Sequence, residues 1–206
     1  MSLRFLKVQT FVVASTLSIA MLLFAARQHE SVSGPQFRRV VDLTEATPSQ
    51  QTKLVAPSQF GGAWTLDSLP PVRLVGPLAV IRAQHKNFAD SESLVTMDDV
   101  ATYERLHGPV PQGAIVLLKS ANPSPTLNSD ALHFLVEARN IVAVGGAADT
   151  FVSAEENPYL AKNGIYELQD VANLSLVSES GVVAIAAPQK INAANEGPVR
   201  LIGLVK

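Results

Sequence analysis

The chain has 206 residues, a net charge of −2 and 47% hydrophobic residues. That suits one globular domain plus an apolar leader, and the balanced charge leaves no electrostatic footprint for nucleic acid. There is no cysteine, so disulfides, cysteine-held metals and thiol catalysis are excluded.

Residues 1–27 read as a targeting segment. Arg4 and Lys7 precede an uncharged apolar run over residues 10–26, which Arg27 ends. As a helix that run spans roughly 25 Å, a little under a bilayer core of about 30 Å. It fits a signal peptide or a short membrane anchor. The basic residues lie before the run, which places the remainder outside the cytoplasm. The expectation is an exported, periplasmic or extracytoplasmic protein, held in the inner membrane if the leader stays. Residues 28–38 are polar with Gly34-Pro35 and read as a linker. Residues 39–206 form the domain.

Within the domain, residues 39–43 (RVVDL) predict a short strand and residues 78–82 a compact apolar one. Thr96-Met97-Asp98-Asp99 opens a helix with a capping-box pattern and acids in its first turn. Met97, Val100, Tyr103 and Leu106 recur on one face, and Gly108 stops it. Residues 113–119 (GAIVLLK) read as a buried strand, residues 121–128 as a loop, and residues 129–139 as a second helix ending near Asn140. Residues 141–145 give another strand. Asn157-Pro158 suits a cap followed by the first helical position of a short helix ending at Gly164. Strands follow over residues 181–186 and 199–205. The pattern predicts an α/β domain with a mixed sheet, or a pair of sheets, flanked by two main helices.

One stretch carries most of the functional information: residues 52–67, TKLVAPSQFGGAWTLD. It resembles the signature His-x-Gly-Thr-His-x-Asp-x-Pro-x-His-Phe of the cyclase family of metal-dependent hydrolases, which includes kynurenine formamidases and isatin hydrolases. Thr52, Pro57 and Phe60 fall in place. Val40–Thr44, Leu69–Leu78, Gly164–Leu174 and Gly197–Arg200 are also similar to family segments, so the resemblance runs from about Val40 to Val205.

The resemblance implies a swivelling β/β/α-type fold with a mixed sheet and a few flanking helices, here preceded by an N-terminal hydrophobic helix. It implies a divalent metal such as zinc or manganese, hydrolysis of a formamide or cyclic amide, and dimers. Yet Ser49, Lys53, Val55, Gln59, Asn157 and Gln169 stand where the family has metal-binding His, His, Asp, His, His and Glu, and Ala147 replaces a further family Asp. The family's few dozen residues before the signature shrink to residues 45–51. A catalytic metal needs about three protein ligands aimed at one point. The expectation is therefore no metal, no cofactor and no catalytic residue at these six positions. Trp64 resembles a family position near the pocket, where it either stacks on an aromatic ligand or packs.

His29, His85, His107 and His133 have no metal-ligand spacing. Asp98 and Asp99 fit a helix start, and Glu155-Glu156 a solvated loop. Gly145-Gly146 lacks the spacing of a phosphate loop. There is no Gly-x-Ser-x-Gly elbow. Two functions remain open. One is a non-catalytic binding or partner-subunit domain, self-paired as a homodimer or paired with an active homologue, with a small aromatic ligand. The other is an active arylformamidase-type hydrolase.

Overall fold

A computed structural model describes residues 37–47, 50–83, 93–120, 125–149 and 151–206. The leader with its expected hydrophobic helix, the linker up to residue 36, Ser49, His29 and His85 lie outside the described residues.

Twelve strands are described: β1 (Arg39–Asp42), β2 (Ala46–Thr47), β3 (Gln50–Gln51), β4 (Lys53–Val55), β5 (Val75–Arg82), β6 (Ser93–Val95), β7 (Ile115–Lys119), β8 (Pro125–Leu127), β9 (Ala143–Gly146), β10 (Tyr166–Gln169), β11 (Val182–Pro188) and β12 (Glu196–Val205). The α-helices are α1 (Met97–His107), α2 (Ser129–Arg139) and α3 (Asn157–Lys162).

The main sheet runs β1-β12-β11-β5-β7-β9-β10-β4, and β4 also pairs with β12. That extra pairing closes β12, β11, β5, β7, β9, β10 and β4 into a barrel, with β1 attached to the C-terminal half of β12. Closure removes the exposed edges that an open sheet would leave. Pairs β5–β7, β7–β9 and β9–β10 are parallel. Each parallel step is bridged by one helix, α1, α2 and α3 in turn, as parallel neighbours require. The remaining contacts around the barrel are antiparallel.

Strand alternation sorts the core into two clusters. Leu54, Leu78, Val80, Ile115, Leu117, Tyr166 and Leu168 fill the barrel interior. Ala79, Ile81, Val116, Leu118 and Val144 point outward and meet Val100 and Tyr103 of α1 and Leu132 and Leu135 of α2. The central strands are apolar on both faces because both faces are covered. Burying each leucine-sized side chain contributes about 1.5–3 kcal/mol.

The two main helices begin and end as their sequences predict. Thr96 N–H donates to Asp99 Oδ2 at 2.9 Å, completing a capping box for α1. The side chain of Asn128 accepts from Asp130 N–H at the start of α2, and Asn140 closes it in the left-handed region at φ 49°. Arg139 on α2 donates to both oxygens of Glu104 on α1, at 2.6 and 2.9 Å. The short helix differs from expectation. Asn157 is its first helical residue (φ −55°, ψ −43°), after a 3-10 turn over Ala154–Glu156, and Glu156 takes the cap position. Helical geometry reaches back past Asn157 because the preceding turn is already helical, and Pro158 tolerates the second helical place.

Candidate functional site

Five of the six positions that resemble ligand positions lie among the described residues, and three of them, Lys53, Val55 and Gln169, share the seam where β4 meets β10. Their antiparallel register sets Lys53 opposite Gln169, Leu54 opposite Leu168, and Val55 opposite Glu167. Leu54 and Leu168 point into the barrel. Alternation therefore turns Lys53, Val55, Glu167 and Gln169 onto the outer face together. Gln59 follows β4 on a 3-10 turn over Pro57–Phe60 and is exposed. Helix α3, which begins at Asn157, packs against that turn. The approach is close enough that a Cβ on Gly62 would stand 2.7 Å from the Ala161 carbonyl oxygen. The fold thus gathers Lys53, Val55 and Gln169 on one patch, with Gln59 and Asn157 on the two pieces packed beside it.

Glu167 is the residue that motif comparison alone misses. It lies two positions before Gln169, so strand alternation places both on one face. Gln169 Nε2 donates to Glu167 Oε2 at 3.0 Å, and both side chains are buried. Burial pushes the Glu167 carboxyl above its ordinary range, against the pull of the Gln169 hydrogen bond and the Lys53 charge. Lys53 Nζ also stands 3.9 Å from Glu196 Oε2 on β12.

These donors do not fit a divalent metal. Val55 has no lone pair. The amide nitrogen of Gln169 is turned toward Glu167, and Lys53 brings a positive charge. At about 4 Å and an effective dielectric near 20, an ammonium and a divalent ion repel by about 8 kcal/mol. Glu167 is one carboxylate where about three ligands are needed. Among the described residues, no group of three or more His, Asp or Glu lies close enough together to hold a metal.

Trp64 lies half-buried against the interior cluster. A Cβ on Gly164, whose φ is +67°, would come within 2.5 Å of the indole ring. The Arg73 guanidinium covers the ring at 5.1 Å from its centroid. Arg73 in turn donates to the Gly164 carbonyl at 3.0 Å, and its backbone carbonyl accepts from the Tyr166 hydroxyl at 3.0 Å. His133 pairs with Glu156 at 3.0 Å, and His107 with Glu179 at 2.9 Å.

A closed barrel with helices over its parallel strands, carrying the signature segment on β4, sets the scaffold class. The profile of the family described as putative cyclase matches residues 15–152. The chain belongs to the cyclase family. It is 27% identical over 168 residues to the isatin hydrolase of Roseibium aggregatum, which covers 68% of this chain and 63% of that protein. The chain therefore spans under two thirds of the length of that relative. Among solved structures it is similar in fold to isatin hydrolase A from Ralstonia solanacearum, with a TM-score of 0.71 and 21% identity over 82% of this chain and 92% of that one. Isatin hydrolase A from Labrenzia aggregata, bound to benzyl benzoate, matches with a TM-score of 0.65 and 24% identity over 84% of this chain and 86% of that one. A protein described as a potential metal-dependent hydrolase with cyclase activity gives 0.63 and 22% over 82% and 98%.

Proposed function

We propose that this domain keeps the cyclase scaffold but does not perform the family's metal-dependent hydrolysis, and serves as a binding or partner subunit. The observation that supports this is the β4–β10 register, which puts an ammonium, an isopropyl group and an amide side by side on one face. Metal catalysis of amide opening needs a cation to polarise the carbonyl and to supply hydroxide near neutral pH. The residues on this face engage one another instead: Lys53 lies near Glu167 and Glu196, and the Gln169 amide donates to Glu167.

In this reading the domain is exported by its leader, and remains in the inner membrane if the leader is uncut. Among the described residues no helix is long and apolar enough to cross a membrane, and the leader lies outside them. A homodimer or a pair with an active homologue would supply the partner, and a small aromatic molecule on Trp64 the ligand. A second reading, an active hydrolase of formamides or cyclic amides, is favoured by the similarity to isatin hydrolase.

Isatin ring opening separates the two. The full chain, incubated with isatin and an N-formyl aromatic amine in added zinc or manganese, should show no turnover above the uncatalysed rate. Metal-dependent turnover that a chelator removes would establish the second reading.

A further inference from the structure

A cavity of about 300 Å³ lies away from the β4–β10 face, where the C-terminal end of α1 meets the first residues of β11 and the N-terminal part of β5. His107, Ser180 and Lys206 stand on its wall, and Leu78 and Val182 contribute apolar surface. Its size falls at the small end of ligand sites, which run from about 300 to 1,000 Å³.

The polar wall is ordered. Ser180 Oγ lies 3.4 Å from His107 Nδ1, and His107 Nε2 lies 2.9 Å from Glu179 Oε2. Burial pushes the Glu179 carboxyl up, but the Arg82 and His107 hydrogen bonds more than offset it, so the group sits below its ordinary range. As a carboxylate it accepts only, and the imidazole must donate to it from Nε2–H. In the neutral ring, Nδ1 is then the lone pair that accepts the Ser180 hydroxyl proton. The ring is held on other sides as well. His107 is the last residue of α1, so the helix backbone fixes where its ring starts. Its ring packs against Tyr103 with centroids 5.0 Å apart. Ser178 Oγ donates to the Ser180 carbonyl at 2.8 Å, and Gly181 turns the chain at φ +75°. The loop that carries the serine is thereby fixed beside the base.

We propose that Ser180, His107 and Glu179 form a nucleophilic site that accepts acyl groups from small carboxylic esters. Nucleophile, base and orienting carboxylate stand in the order that such chemistry requires, with the two imidazole nitrogens exchanged relative to the familiar serine protease arrangement. As Ser180 Oγ bonds to the ester carbonyl carbon, its proton passes to His107 Nδ1. The carbon–oxygen bond to the alcohol breaks, and the alcohol leaves with that proton. Water then attacks the acyl-serine, giving its proton to Nδ1, and Ser180 recovers it as the carboxylic acid departs. Glu179 stabilises the imidazolium in both halves. The serine–imidazole distance is looser than the roughly 2.6–3.2 Å of a tight pair, as catalytic hydrogen bonds often are without substrate. The site uses no residue of the β4–β10 face, so it stands or falls separately from the reading of that face.

The test uses the full chain, a fluorophosphonate probe and p-nitrophenyl acetate, with and without a chelator. The account predicts covalent label on Ser180 by peptide mapping, and ester hydrolysis indifferent to the chelator. Ser180→Ala and His107→Gln should each lower hydrolysis by roughly 100-fold or more, while Ser175→Ala leaves it unchanged. Label mapping on the unaltered chain decides the matter even where a variant misfolds. No label on Ser180, hydrolysis that survives in Ser180→Ala, or a rate abolished by the chelator would overturn the proposal.

Discussion

Glu167 is buried beside an amide and near one cation, and its protonation reports on the electrostatics of the β4–β10 face. Its folded-state pKa lies above the ordinary 4.5, through burial first. A raised value means that the protonated form favours the fold. That contribution is complete below about 4.5 and is lost as pH rises through the folded value. Glu167→Gln keeps the shape and removes the charge. The variant should gain urea stability relative to the unaltered chain on going from about pH 5 to about pH 8. Asp42, Glu104, Glu156 and Glu179, whose pKa values are lowered, work in the opposite direction. They are common to both proteins and cancel in the difference. A difference in urea midpoint that stays flat, or falls, with pH would mean that Lys53 already holds Glu167 ionised at no cost.

At the scale of elements, legibility followed local chemistry. Helices α1 and α2 can be read to within a residue because Thr96, Asp99, Gly108, Asn128 and Asn140 terminate them through contacts only a few residues away. Strand β7 is equally plain, whereas β5 begins at Val75, three residues before the predicted 78–82, because Gly76-Pro77 masks the strand pattern, and β11 runs on to Pro188 past the predicted 181–186. By contrast β4 and β10 hide: they are three and four residues long, and each mixes polar with apolar residues. Their polar members are outward site positions, which breaks the pattern that marks a buried strand. The cap assigned to Asn157 failed for a related reason, since a 3-10 turn supplies the helix start.

The β9–β10 contact gives an element-scale test. A Cβ on Gly145 would lie 2.3 Å from the Leu168 carbonyl oxygen and 2.7 Å from its Cβ. Gly145→Ala must push β9 and β10 apart, and overpacking of this kind costs about 1–3 kcal/mol. Chemical denaturation should show a loss in that range. An unchanged midpoint would mean that the strands sit further apart than described.

For the whole molecule, the mixed sheet and its flanking helices were legible, but the closed barrel was not. Closure depends on β4 reaching both β10 and β12, pairings between residues more than a hundred positions apart. No local pattern encodes such a register. The same closure brings Lys53, Val55 and Gln169 together, so the signature positions are neighbours only through the complete barrel. Glu167 entered the site for that reason as well. The family resemblance is carried by turn and strand residues such as Val40–Thr44 and Gly164–Leu174, which local pattern makes legible.

The central claim is that this face of the barrel holds a fixed set of side chains in place of a divalent ion. Metal content of the purified full chain, after incubation with excess zinc or manganese and removal of the free ion, tests it most directly. The account predicts far less than one equivalent by elemental analysis. One tightly held equivalent per chain, lost on Glu167→Gln, would contradict it.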